Sequence, residues 1–165
     1  MARRTTRTIL GATLVFIAVL GGFAWHYLAQ RRSLPFPLIG EPVIGRRIDS
    51  MASNVPQPPD DAPKMYEWPV IGDAVMVAPD VAAELREILS SPSTYTFQDS
   101  DCFEPGMAVS FGDGTNRVDV LICLLCNKAI FYRGERRVGR HISEQGNKRL
   151  RSIYQRIFGA PASQF

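Results

Sequence analysis

Residues 107–111 and 117–125 constrain the fold of this chain more than any other stretch. Met107-Ala108-Val109-Ser110-Phe111 and Arg117-Val118-Asp119-Val120-Leu121-Ile122-Cys123-Leu124-Leu125 are β-rich runs. The turn-formers Gly112-Asp113-Gly114-Thr115-Asn116 separate them. Their register follows from the alternation. If Phe111 faces Val118, then Val109 faces Val120 and Met107 faces Ile122, and both strands turn their apolar residues to one face. A slip of one residue sets Asp119 against an apolar partner. On the other face Ala108 meets Leu121 and Ser110 meets Asp119. Leu121, Cys123 and Leu125 make that face partly apolar, so a helix is expected to cover it.

The stretch 102–126 that contains both runs holds all three cysteines, Cys102, Cys123 and Cys126. Continuing the register places Phe103 opposite Cys126, with Cys102 beside it. A Cys102–Cys126 disulfide is therefore expected, whereas a bridge from Cys102 to Cys123 requires a kinked strand. The other reading is a zinc site of Cys102, Cys123, Cys126 and His141, because Cys123-Leu124-Leu125-Cys126-Asn127-Lys128 has the length of a zinc knuckle. Haem attachment is excluded by Asn127, where a His would be required. A thioredoxin-like pair needs its first Cys at a helix N-terminus, and this pair sits in a strand.

Between Ile9 and Ala29 there is no Lys, Arg, Asp or Glu. As a helix the run is about 31 Å long, the thickness of a bilayer core. Trp25 and Tyr27 sit where an interfacial aromatic belt lies, and Arg31-Arg32 end the run. A single-pass anchor is expected, with the bulk of the chain outside the cytoplasmic membrane. Cleavage near Ala24 is the alternative, and it gives a secreted domain. Residues 33–69 contain eight of the twelve prolines and read as an extended stalk, so residues 33–65 are taken as a Pro-rich linker.

Residues 66–165 read as one small domain. Residues 70–77 look like a strand interrupted at Gly72-Asp73. Pro79 opens a helix whose apolar face is Val81, Leu85, Ile88 and Leu89. Asn127-Lys128 turns into a strand at Ala129-Ile130-Phe131-Tyr132, and residues 134–140 read as a basic loop. Ser143 or Asn147 caps a last helix with the stripe Leu150, Ile153, Tyr154, Ile157 and Phe158. The expected fold is α+β: an N-terminal transmembrane helix, the linker, and an antiparallel sheet of three to four strands flanked by two helices.

Charge is segregated. Residues 1–32 carry five Arg and no acid, residues 33–127 carry five Lys/Arg against fourteen Asp/Glu, and residues 128–165 carry nine Lys/Arg against two Glu. Either the acidic and basic segments face each other, or the tail meets an anionic surface. Arg133, Arg136, Arg137, Arg140, Lys148 and Arg149 are the candidates for lipid headgroups. Nucleic acid is not expected, because no aromatic platform is interleaved with the cations. No Gly-x-Ser-x-Gly, Walker or dinucleotide motif is present, and outside the uncharged run His141 is the one histidine. No catalytic residue is assigned.

Ser91-Pro92-Ser93-Thr94-Tyr95, Cys102 to Gly106 with its Cys-x-x-Pro-Gly spacing, and the Val118 to Cys126 strand together resemble a type of bacterial envelope protein, as does the Ile157-Phe158 helix end. The resemblance covers about half of the chain and implies no activity. The expected function is a membrane-anchored extracytoplasmic accessory domain with a protein partner in the envelope and no cofactor. The alternative is a thiol- or zinc-dependent enzyme built on the three cysteines and His141.

Overall fold

Val109 pairs with Val120, Met107 with Ile122 and Phe111 with Val118, the register that the alternation dictates. The computed structural model describes residues 19–22, 25, 27, 34–48, 62–97 and 101–159. Its strands are β1 (Val43–Ile48), β2 (Lys64–Met65), β3 (Trp68–Met76), β4 (Tyr95–Thr96), β5 (Met107–Phe111), β6 (Val118–Cys123), β7 (Lys128–Arg133) and β8 (Arg136–Ile142). They form one eight-stranded sheet in the order β2-β3-β1-β5-β6-β7-β8-β4. Every neighbouring pair is antiparallel. Helices α1 (Pro79–Ser90) and α2 (Glu144–Phe158) complete the layer above it.

The expected sheet of three to four strands between two helices is thus corrected on two counts. The first is strand number. β1 lies inside the stretch read as a Pro-rich linker, yet it sits between β3 and β5. Pro35, Pro37 and Pro42 precede the strand and remove no donor from its ladder, while Val43 and Ile48 are fully buried. β8 replaces the basic loop, pairing with β7 from Arg133–Arg136 to Lys128–His141. The second count is the position of the helices. Both lie on the same face.

That face is the main core. Val81, Ala82, Leu85, Ile88 and Leu89 of α1 and Leu150, Ile153 and Tyr154 of α2 pack over Met107, Val109, Phe111, Val120, Ile122 and Phe131. Pro79 and Asp80 start α1 as read, and the Ser143 hydroxyl caps α2 by accepting from Gly146 N–H at 3.1 Å. Asn147 is no cap. It is buried, and its amide donates to the Leu124 carbonyl at 2.8 Å, where the Arg151 guanidinium also donates at 2.7 Å. The helix therefore holds the β6–β7 turn, in which Asn127 takes φ +52°.

The segregated charges meet across the two helices. Arg149 pairs with Glu87 at 2.9 Å, and Arg156 with Asp80 at 2.9 Å and with Glu84. These pairs are exposed, each worth at most about 1 kcal/mol, so they align the helices more than they stabilise them.

The interruption read at Gly72-Asp73 is a bulge. Gly45 pairs with Val75 but Arg47 pairs with Ile71, so Arg46 faces residues 72–74 on β3. Gly72 takes φ +68°, which a side chain resists. Among the described residues no helix is long and apolar enough to cross a membrane. The expected transmembrane helix therefore has no counterpart among them. Its span, 9–29, lies mostly outside the described residues, and residues 19–22, 25 and 27 within it are helical and exposed.

Gly146 tests how closely α2 seats. A Cβ there would lie 2.9 Å from both the Thr94 carbonyl oxygen and its methyl carbon, and 3.1 Å from Ile142. Gly146→Ala gains up to about 1 kcal/mol in helix propensity. The backbone oxygen cannot rotate away, so overpacking of roughly 1–3 kcal/mol dominates. The variant should unfold at lower urea concentration than the parent with an unchanged slope.

Candidate functional site

Among the described residues the second face of the sheet carries no helix, contrary to expectation. Strand alternation places Arg46 and Ile48 of β1, Val70 of β3, Ala108 and Ser110 of β5, Asp119, Leu121 and Cys123 of β6, and Ile130 and Tyr132 of β7 there. Ile48, Met65, Ala108, Leu121 and Tyr132 form a small buried cluster, flanked by Trp68, Val70, Phe103 and Ile130. The cover is the β2–β3 hairpin. Tyr66, at its tip with φ +58°, stacks on Tyr132 at 3.8 Å between ring centroids. Phe103 meets Trp68 edge-on at 6.1 Å.

A polar cluster sits inside this face. Asp119 is 5% exposed, and its carboxylate accepts from Arg117 Nε at 2.7 Å, Arg117 Nη2 at 2.8 Å and the Tyr66 hydroxyl at 3.0 Å. A buried carboxylate needs such donors to remain charged. Burial, and then the Asp119 charge, push the Tyr66 phenol above its ordinary range. The Asp119 hydrogen bond raises the Arg117 guanidinium further. Beside it, Arg46 Nη1 donates to the buried Ser110 hydroxyl at 3.0 Å. Arg46 and Arg117 then line a groove of about 340 Å³ with Pro63, Lys64, Met65, Val70, Gly72, Asp73 and Ala74.

The cysteines divide as the register implied. Cys102 and Cys126 stand at disulfide distance, with Cα atoms 5.9 Å apart. Cys123 is a free, buried thiol. Its sulfur accepts from the Cys126 backbone N–H at 3.0 Å, and burial pushes its pKa up, the reverse of an activated nucleophile. The four residues read as zinc ligands are not brought together. Cys102 and Cys126 occupy the pair, and Cys123 and His141 are separated by β7, because Cys123 pairs with Lys128 and Lys128 with His141. Two strand spacings put their backbones about 10 Å apart. Among the described residues no group of three or more His, Cys, Asp or Glu is placed to hold a metal.

The six candidate cations for an anionic surface are dispersed. Arg149 and Lys148 pair with Glu87 and Glu144. Arg133 donates to Asn116 at 3.2 Å, and Arg136 lies over the Phe36 ring. Arg140 donates to the Gly139 carbonyl at 3.0 Å, and Arg137 points to the opposite face from Arg136 and Arg140.

Arg46, Lys64, Tyr66 and Arg117 were not singled out by the sequence reading. One signal was there: Asp119 stands in an otherwise apolar strand, opposite Ser110, and a buried acid needs cations. Nothing local pointed to Arg46, because its strand was hidden among prolines.

Comparison with protein-family models, with curated proteins and with solved structures returns no match. The roles of these residues therefore rest on their geometry.

Four of the five tyrosines, Tyr66, Tyr95, Tyr132 and Tyr154, have pKa values raised first by burial. A phenol whose folded pKa exceeds its unfolded value of about 10 contributes stability that is full below that pH and is lost as pH rises through the folded value. Absorbance titration should show the three buried phenols, Tyr95, Tyr132 and Tyr154, ionising only together with loss of near-ultraviolet ellipticity. Smooth ionisation of these three near pH 10 in a folded chain would contradict the packing.

Proposed function

We propose that this chain is an extracytoplasmic accessory module of a bacterial envelope that works by binding, with the helix-free face of the sheet as its recognition surface. One observation carries the reading: Cys102 and Cys126, 24 residues apart, stand within disulfide reach at the end of the β5–β6 hairpin. Such bridges persist in oxidising compartments and are rare in the cytosol. The uncharged run 9–29, with Arg on both sides, supports retention at the cytoplasmic membrane; cleavage near Ala24 would release the same domain.

The recognition surface has its own support. It combines aromatic rings with guanidinium groups at the rim of a groove, the composition that interfaces favour. Trp68 Nε1 is buried there with no acceptor among the described residues.

Two measurements test the proposal. Alkylation of the denatured, unreduced chain should label one thiol, Cys123, and alkylation after reduction should label three. Three thiols labelled without reduction would remove the oxidising-compartment argument. Protease added to intact spheroplasts should digest the domain, and its survival there with digestion after lysis would place it inside. A loop of 24 residues sets the value of the bridge at roughly 3 kcal/mol. Cys102→Ser and Cys126→Ser should each lower stability by about that amount, while Cys123→Ala costs less.

A further inference from the structure

We propose that the groove between the β3 bulge and Arg46 is a subsite for a small organic oxyanion, a carboxylate or a phosphate ester with an apolar body. The proposal deepens the binding role assigned to this face and rests on it.

The groove has the volume of a small-ligand site, about 340 Å³. Three cations line it, Arg46, Lys64 and Arg117, against one acid, Asp73. Their charge is not equally available. Arg117 is already neutralised by Asp119, which holds its guanidinium plane in place. Arg46 is different. It is half-buried, and the one hydrogen-bond partner of its side chain among the described residues is the uncharged Ser110 hydroxyl. Among the described residues the remaining Arg46 donors have no carboxylate partner, nor does Lys64 ion-pair with Asp73. A guanidinium positioned through one nitrogen, with its other donors open, is suited to bidentate capture of an oxyanion.

The fold explains why Arg46 stands there. The bulge sets residues 72–74 opposite Arg46 alone, so β3 bows and its Gly72 adds no side chain. Ser110 pairs with Asp119 across β5 and β6, so the two arginines are fixed by adjacent residues of one register. Met65, Val70 and Ala74 line the rest of the groove and offer apolar contact to the body of a ligand. Inorganic phosphate fills only the charged end, whereas an aromatic anion uses both.

The test uses the full-length chain in detergent, titrated separately with benzoate and with phenyl phosphate and followed by nitrogen-15 amide shifts. At least one probe should bind saturably, with the largest shifts at residues 46, 64, 72–74 and 117. Binding of benzoate alone points to a carboxylate source, and of phenyl phosphate alone to a phosphate ester. Arg46→Gln should weaken binding at least about tenfold, the value of one charge-assisted hydrogen bond. Lys64 is exposed, so Lys64→Gln tests the site without disturbing the fold, and it should weaken binding about threefold at low salt. Arg149→Gln should leave binding unchanged. Failure of both probes to saturate, or equal affinity in Arg46→Gln, Lys64→Gln and the parent, overturns the subsite. Neither result alters the thiol count or protease access, so the two proposals fail separately.

Discussion

Every residue of β5 and every residue of β6 is buried, so both faces of this hairpin must be covered. That one constraint organises the molecule. Unpaired strands in water would expose Met107, Val109, Val120 and Ile122 on one side and Ala108 and Leu121 on the other. At about 25 cal/mol per Å² of apolar surface, neither side can be left wet. The two helices cover the first, larger set. The β2–β3 hairpin and Phe103 close the second. Neighbouring strands β1 and β7 fill the ladders, which leaves the short strands β2 and β4 at the sheet ends, where brief edges limit unwanted pairing.

The two covers differ in chemistry. The helix side is mainly apolar, with Arg47 buried at its Nε beside Tyr154, and the helix charges pair along the outer rim where α1 and α2 face each other. On the other side the strand alternation brings in Ser110 and Asp119. A carboxylate placed there requires Arg117 and Tyr66, and a hydroxyl beside it positions Arg46. A sheet face that carries arginines held from beneath is poorly suited to dry packing and well suited to meeting an anion. The structural need to satisfy Asp119 and the proposed recognition surface are two consequences of the same register.

The hairpin was legible because period-two alternation on both runs admits one register, and because Gly-Asp-Gly marks the turn. The Cys102–Cys126 proximity follows from that register by two further steps. The helices were legible from Pro79, the Ser143 cap and the 3.6-residue stripes. β1 was not, since Val-Ile-Gly-Arg-Arg-Ile puts a glycine and two arginines into a strand that follows three prolines. Its burial comes from neighbours that local sequence cannot reveal. β8 was missed for the opposite reason: as a near-edge strand it tolerates Arg136, Arg137 and Arg140, so its pattern reads as a loop. The helix expected on the second face failed because apolar residues call for a cover without specifying its kind. The site inherited these gaps, with Asp119 visible and Arg46 hidden in the misread strand.

Native-state hydrogen exchange measures the doubly covered hairpin most directly. If β5 and β6 are the centre on which both layers depend, the amides of Val109, Val120 and Leu121 exchange only through global unfolding, while those of β2, β4 and the outer edge of β8 open locally. The opposite order, with β5 and β6 exchanging as readily as the edge strands, would contradict this architecture.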